Sequence, residues 1–134
     1  SRGGHGLKML KSSGVELAII TGRSSRVVEH RARNLGIEIV HQGAHDKLAV
    51  YEALCRELGI ACETTAYMGD DVVDLPVMRR AGLAITVPAA PDLVKAHSHL
   101  VTTREAGRGA VREACEFLMR AQGTLDAALA PYLK

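Results

Sequence analysis

Tryptophan is absent from this 134-residue sequence, and aromatic residues make up only 3% of it. A core must therefore be filled by alanine, valine, leucine and isoleucine, and a hydrophobic content of 47% is sufficient for one. Excess charge is also lacking, because 24% of the residues are charged and the net charge is only +2. Because the charges are balanced, the chain is not expected to be disordered. It also lacks the excess of basic residues that a nucleic-acid-binding protein needs. The length predicts one domain over residues 1–134, with a weaker helical tail at 124–134.

Cysteines and long apolar runs are scarce as well. The three cysteines are an odd number and have no CxxC spacing, so neither a disulfide framework nor a zinc site is expected. No apolar run approaches the roughly 20 residues that span a bilayer, and none resembles the apolar region of a signal peptide. These absences predict a cytoplasmic protein without a membrane partner.

Short β-branched apolar runs alternate with helical patterns along the chain. The predicted strands are residues 16–21, 37–40, 64–68, 83–87 and 99–101. Connections this short imply parallel strands joined by right-handed crossovers. We therefore predict an α/β fold, a doubly wound and mainly parallel sheet with helices on both faces. In such sheets ligands bind beyond the carboxyl ends of the strands.

The first predicted strand ends in Thr21-Gly22-Arg23. A hydroxyl, a glycine amide and the N-terminus of the next helix together suit an oxyanion such as phosphate, because unpaired N–H groups point at the ligand. The alternative is a tight strand-to-helix turn with a solvated Arg23. The motif alone leaves both interpretations open.

The third predicted strand ends in Gly69-Asp70-Asp71, and Asp74 follows three residues later. Adjacent carboxylates at a sheet edge repel each other and favour an offsetting cation. Mg²⁺ prefers oxygen ligands and is usually held by one or two carboxylates with phosphate and water. We therefore predict that Asp70 and Asp71 bind Mg²⁺. The alternative is that Asp71 or Asp74 is the N-cap of the next helix.

Lys47 opens the helix after the second predicted strand, directly behind the capping residue Asp46. A lysine at a helix N-terminus interacts unfavourably with the helix macrodipole. Its presence there therefore suggests a functional role, in which its charge binds phosphate or a nucleophilic carboxylate. The alternative is an ordinary surface lysine. None of the six histidines has a spacing that indicates a catalytic role.

Together these clusters resemble motifs two, three and four of the haloacid dehalogenase phosphohydrolase superfamily. Within it the sequence looks like the 3-deoxy-D-manno-octulosonate 8-phosphate (KDO 8-phosphate) phosphatases, which are small enzymes without a cap domain. The resemblance runs from about Gly4 to about Asp126. It is carried by Ala18–Arg23, His41–Gly43 with Asp46-Lys47, Tyr67–Met78 and Gly107–Glu113.

The resemblance implies a Mg²⁺-dependent phosphomonoesterase that hydrolyses KDO 8-phosphate to KDO and phosphate in lipopolysaccharide precursor biosynthesis. It implies that Thr21 and the Gly22 amide hold the transferring phosphoryl oxygens and that Arg23 reaches the sugar acid. Lys47 would neutralise the phosphate and orient the nucleophile. This is phosphoryl transfer by positioning and charge neutralisation.

The same resemblance assigns the acidic cluster and the quaternary structure. Asp70 would ligate Mg²⁺ directly with help from Asp71, while Asp74 would be a structural carboxylate. Family members assemble as tetramers in which the C-terminal segment of one subunit can cover a neighbour's active site. Arg108 would contribute to that contact and to substrate binding.

The first motif of the family has no counterpart in these residues. Members begin with a strand ending in Asp-x-Asp-Gly, whose first aspartate attacks phosphorus and whose second is the general acid and base. No Asp-x-Asp occurs in this sequence, and Arg2-Gly3-Gly4 stands where members usually read Arg-Asp-Gly. That strand normally lies between those ending at Thr21 and Asp70. We therefore expect the central strand to lie outside this sequence, which opens without an initiator Met, and we expect the chain alone to be inactive with its sheet split.

Two alternative functions are compatible with the residues. One is a related activity, such as a phosphatase for another nonulosonate phosphate or the haloacid dehalogenase-like domain of a sugar-acid cytidylyltransferase. The other is a non-catalytic module that serves assembly or regulation. The upstream sequence would discriminate among them. An Asp-x-Asp-Gly strand there would support the phosphatase, a nucleotidyltransferase domain would support the cytidylyltransferase, and the absence of both would support the non-catalytic module.

Overall fold

The computed structural model describes all residues from Ser1 to Lys134. Its strands are β1 (Ala18–Ile20), β2 (Ile39–His41), β3 (Ala66–Met68), β4 (Leu83–Thr86) and β5 (Leu100–Val101). Its α-helices are α1 (Arg2–Ser12), α2 (Arg26–Asn34), α3 (Lys47–Leu58), α4 (Leu75–Met78), α5 (Asp92–Ala96), α6 (Ala110–Gln122) and α7 (Leu125–Leu129). None of the helices combines the length and apolar character that a bilayer crossing requires.

Local capping sets where the helices of the site begin and end. Ser25 is the N-cap of α2, since its Oγ accepts a hydrogen bond from Val27 N at 3.1 Å. Asp46 caps α3 in the same way, accepting from Ala49 N at 3.0 Å. Gly59 ends α3 with a φ of 65°, a conformation that favours glycine. The predicted cap Asp46 is confirmed, and all three boundaries are set by contacts within a few residues.

The strands pair in parallel throughout, which confirms the predicted α/β sheet. In one ladder β1 pairs with β2, and in the other β3, β4 and β5 follow in order. The two ladders are separate, so β1 and β3 each have one edge without a strand partner. Because the pairing is parallel, the carboxyl ends of neighbouring strands within each ladder lie together, and Thr21 and Asp70 follow these ends.

Three apolar clusters hold the layers together. The largest contains Met9, Leu10, Ala32, Ile37 and Met119, and it joins α1, α2 and α6. A second lies around β4 and α5. The third, formed by Tyr51, Cys55 and Val77, is packed by Ile20 of β1 and Tyr67 of β3, so α3 spans both ladders. Helix α3 therefore fixes the two strand ends that carry the candidate site.

Candidate active site

The Thr21-Gly22-Arg23 segment forms a tight turn at the end of β1. Thr21 Oγ1 accepts a hydrogen bond from Arg23 N at 3.1 Å, and Thr21 O accepts one from Ala44 N at 2.9 Å. Arg23 O in turn accepts from Gly43 N at 3.0 Å. The exposed Gly22 N–H donates to no group of the protein. The segment therefore does form a tight turn, and that turn still leaves one amide and the Thr21 hydroxyl proton available to an oxyanion.

The loop that holds this turn leads directly into α3 and Lys47. Lys47 Nζ lies 2.9 Å from Asp74 Oδ1, and its side chain is 18% exposed. The interpretation of Lys47 as an ordinary surface lysine is thus wrong. Because this ion pair crosses from α3 to the segment after β3, it brings the end of β3 next to the end of β1.

Asp74 is the most heavily hydrogen-bonded carboxylate of the site, although the residue is only 4% exposed. Its Oδ1 accepts from Lys47 Nζ at 2.9 Å and from Tyr67 OH at 2.8 Å. Its Oδ2 accepts from the backbone N–H groups of Asp70 at 3.0 Å and Asp71 at 3.2 Å. Each oxygen thus receives two donors. Asp74 ties together α3, β3 and the turn that follows β3.

Burial and these donors act in opposite directions on Asp74. Burial alone would raise the pKa of its carboxyl group, but the hydrogen bonds from Lys47, Tyr67 and two amides outweigh it and hold the pKa below the ordinary value. Burial and the adjacent carboxylate raise the pKa of the Tyr67 phenol. Asp74 is therefore a carboxylate and Tyr67 a neutral hydrogen-bond donor over the physiological range.

Gly69 is the residue that lets the chain turn so tightly around Asp74. A Cβ added to Gly69 would lie 2.5 Å from Asp74 Cβ and 2.7 Å from its Cγ. No side chain fits at that distance, and the neighbour is a buried anchored carboxylate rather than the free end of a flexible chain. Glycine before the two aspartates is thus required by packing.

Asp70 and Asp71 project from this turn as exposed carboxylates. Asp71 Oδ1 accepts from Val72 N at 2.7 Å, so Asp71 is the N-cap of the 3₁₀ turn Val72–Asp74. Neither carboxylate forms an ion pair with a cationic side chain, and the Asp70 carboxylate makes no hydrogen bond within the chain. Two neighbouring anions thus face solvent without a compensating protein charge.

These carboxylates fit Mg²⁺. The structure contains no group of three or more histidine, cysteine or acidic side chains arranged for a metal ion. Mg²⁺ does not need one, because it is commonly held by one or two carboxylates while phosphate and water complete the octahedron. The hard oxygen donors of Asp70 and the free oxygen of Asp71 supply that number.

Arg108 is the one predicted site residue that the structure does not bring to this group. It lies in a cleft of about 1130 Å³ between the N-terminal ends of α1 and α6, together with Arg2, Arg31 and Arg104. Neither Thr21, Lys47 nor Asp70 lines that cleft. A role for Arg108 across a subunit contact stays a prediction. Tyr67 begins the segment Tyr67–Met78 that carries part of the family resemblance, but neither that resemblance nor its place two positions before Gly69 assigns it a role.

Comparison with known proteins agrees with this geometry. The family model described as haloacid dehalogenase-like hydrolase matches residues 5–82. That range contains Thr21, Lys47, Asp70 and Asp74, each at the end of a strand or the start of a helix. The chain belongs to the haloacid dehalogenase-like hydrolases.

Its relatives narrow the family further. The 3-deoxy-D-manno-octulosonate 8-phosphate phosphatase KdsC of Escherichia coli K12 is 45% identical over 127 residues, which are 95% of this chain and 68% of that protein. A crystal structure of the phosphatase of the same name from Moraxella catarrhalis, in complex with magnesium, phosphate and KDO, is 46% identical with a TM-score of 0.95, covering 98% of this chain and 75% of that one. The Yersinia pestis phosphatase structure is 43% identical with a TM-score of 0.91, covering 93% and 68% of the two chains. Among these hydrolases the chain belongs to the KDO 8-phosphate phosphatase family.

Proposed function

We propose that the protein is a Mg²⁺-dependent phosphomonoesterase that hydrolyses KDO 8-phosphate to KDO and phosphate in the biosynthesis of lipopolysaccharide precursors. The observation that carries the proposal is the convergence, around Asp74, of a half-buried ammonium, two exposed carboxylates and a turn with an unpaired amide. The relationship to KdsC phosphatases supports the choice of substrate.

The cationic and neutral donors act on the phosphate. The Thr21 hydroxyl and the Gly22 N–H donate to phosphoryl oxygens, and Lys47 neutralises part of their charge. Lys47 is 18% exposed and held by Asp74, so its ammonium is already oriented before the substrate arrives. Oriented donors in a partly dry site need little reorganisation when charge moves in the transition state. Arg23, exposed beside them, reaches the sugar acid.

The acidic residues act on the metal. Asp70 holds Mg²⁺ directly, and Asp71 assists with the oxygen that its N-capping hydrogen bond leaves free. The ion supplies electrostatic neutralisation of the phosphoryl oxygens. Asp74 does not compete for the metal, because both of its oxygens already accept two hydrogen bonds from the protein.

The nucleophile and the general acid come from an Asp-x-Asp strand between β1 and β3. Each of these strands has one unpaired edge, and the 134 residues contain no Asp-x-Asp. An inserted parallel strand would satisfy both edges and project its carboxyl-terminal aspartates beside Thr21 and Asp70. Residues 1–134, with the tail at 124–134, would then form a single domain together with that strand.

The proposed assembly and location are supported by the resemblance to the family. We propose a cytoplasmic homotetramer in which the C-terminal segment of one subunit covers a neighbour's site. Arg108, which lies at the N-terminal end of α6 away from its own Lys47, would serve the site of a neighbouring subunit.

The experiment is an assay of phosphate release by the full-length protein on KDO 8-phosphate and a panel of sugar-acid phosphates. Activity should be highest on KDO 8-phosphate and be lost in EDTA. Lys47→Gln should abolish turnover, whereas Lys95→Gln, a lysine paired with Asp92 on α5, should leave it unchanged. Metal-independent activity, or none on eight- and nine-carbon sugar-acid phosphates, would contradict the proposal.

A further inference from the structure

Tyr67 lies on β3 with its hydroxyl 2.8 Å from Asp74 Oδ1. The same oxygen accepts the Lys47 ammonium at 2.9 Å. Tyr67 and Lys47 therefore both donate a hydrogen bond to the same carboxylate oxygen. Neither the family resemblance nor the motif spacing gives this tyrosine a task, yet it is in direct contact with the group that orients Lys47.

The Tyr67 ring is itself held in place from behind. It meets the ring of Tyr51 edge to face, with centroids 6.5 Å apart and an interplanar angle of 75°. The Tyr51 hydroxyl is 2.7 Å from Thr65 Oγ1 and donates to Cys62 O at 3.3 Å. The start of β3, two tyrosines and Asp74 thus form one continuous set of contacts. A ring so supported fixes the position of its hydroxyl, and the hydroxyl fixes Oδ1.

The consequence for Lys47 follows from the number of donors on Asp74. With Tyr67 present, the charge of Oδ1 is divided between a phenol and an ammonium. Without it, Oδ1 of Asp74, a residue only 4% exposed, has a single donor left, and Lys47 would be drawn onto the carboxylate. An ammonium that is bound more tightly to Asp74 stabilises the negative charge of a phosphoryl group less.

We infer that Tyr67 is a positioning residue of the phosphatase site, which holds Asp74 so that Lys47 faces the phosphate. The inference rests on the proposed function, because it gives Tyr67 a role in that reaction. Tyr67 does not touch the substrate. Tyr67 acts through Lys47. Because the phosphoryl charge is redistributed in the transition state, we expect the loss of Tyr67 to raise the free energy of the transition state more than it weakens substrate binding.

The test compares Tyr67→Phe with the matched control Tyr51→Phe in the full-length protein. Both changes remove one phenolic hydroxyl from the same edge-to-face pair of rings, but only the Tyr67 hydroxyl contacts Asp74. We expect Tyr67→Phe to lower kcat about 10-fold with KM changed less than about twofold, since a hydrogen bond to a charged group is involved. Tyr51→Phe should leave both constants within about twofold. In an Asp74→Asn background, Tyr67→Phe should cause no further loss.

A spectroscopic readout keeps the inference separate from the identity of the substrate. In lysine-¹⁵Nζ-labelled protein, the Lys47 ammonium signal, assigned with Lys47→Gln, should shift in Tyr67→Phe and not in Tyr51→Phe. The kinetic comparison can be repeated on p-nitrophenyl phosphate if KDO 8-phosphate is not hydrolysed, which would refute the substrate and not the role of Tyr67. An unchanged Lys47 signal in Tyr67→Phe, or equal effects of the two tyrosine variants, would overturn the inference.

Discussion

Replacing Asp74 with asparagine tests the contact on which the whole site depends. The substitution keeps the shape of the side chain but replaces one carboxylate oxygen by an NH₂ group. The four groups that face Asp74 are all donors: Lys47 Nζ, Tyr67 OH and the amides of Asp70 and Asp71. In either orientation of the amide, therefore, an NH₂ group opposes two donors, and Lys47 loses its counter-charge.

The magnitude follows from burial. Breaking one side of a buried ion pair costs about 3–5 kcal/mol of unfolding free energy, because the remaining charge stays desolvated. Asp74 is 4% exposed, whereas the Lys47 side chain keeps 18% of its exposure, so water compensates part of the loss. We therefore expect a loss of about 3 kcal/mol, the lower end of that range. For a domain of this size, that corresponds to a fall of about 10 °C in Tm.

The assay is urea unfolding followed by circular dichroism, with Asp71→Asn as the matched control. Asp71 is exposed, and its carboxylate accepts the N-capping hydrogen bond from Val72 N, a role that an asparagine side chain can also fill. The control should change the unfolding free energy by less than about 0.5 kcal/mol. A loss below about 1 kcal/mol in Asp74→Asn, or an equal loss in both variants, would refute the reasoning that Asp74 anchors the site.

Other predictions concern the metal, pH and completeness of the site. Asp70→Asn should weaken Mg²⁺ binding, measured by isothermal titration calorimetry, more than Asp74→Asn does, although it should cost less stability, because only Asp70 has a free carboxylate; the opposite ranking would reverse our assignment. Burial would raise the pKa of Glu113, but the amides of Thr103 and Arg104 and the Thr103 hydroxyl hold it below its ordinary value. The stability that these contacts supply is therefore present above about pH 4.5 and lost as pH falls through the folded pKa, so Glu113→Gln should show a shallower loss of Tm on acidification; parallel curves would contradict this. The 134-residue chain by itself should release phosphate at least about 100-fold more slowly than the same chain joined to an Asp-x-Asp strand, since general acid–base catalysis alone is worth that much; equal rates would mean that the nucleophile lies within these residues.

Much of the fold could be predicted from the sequence because it depends on local signals. Ser25, Asp46 and Gly59 bound their helices through contacts within a few residues, so the sequence identifies them directly. The alternation of β-branched runs with helical patterns predicts parallel strands, and these predictions are confirmed. The strands are shorter than the apolar runs, as in β1 with Ala18–Ile20 inside the run 16–21, because a strand extends only as far as its ladder.

The sequence by itself determined which chemical groups stand at the strand ends: the Thr21 hydroxyl, the Lys47 ammonium and the Asp70 and Asp71 carboxylates. Only the tertiary structure decided how they are held. Asp74 lies 27 positions from Lys47, and its four donors come from α3, β3 and the turn after β3, so no local pattern could reveal it as their common acceptor. The place of Arg108 in a separate cleft was decided in the same way, by the packing of α6 beside α1. The spacing of residues along the sequence determines which side chains lie on one helix or strand, whereas contacts between helices and strands form only when the core packs.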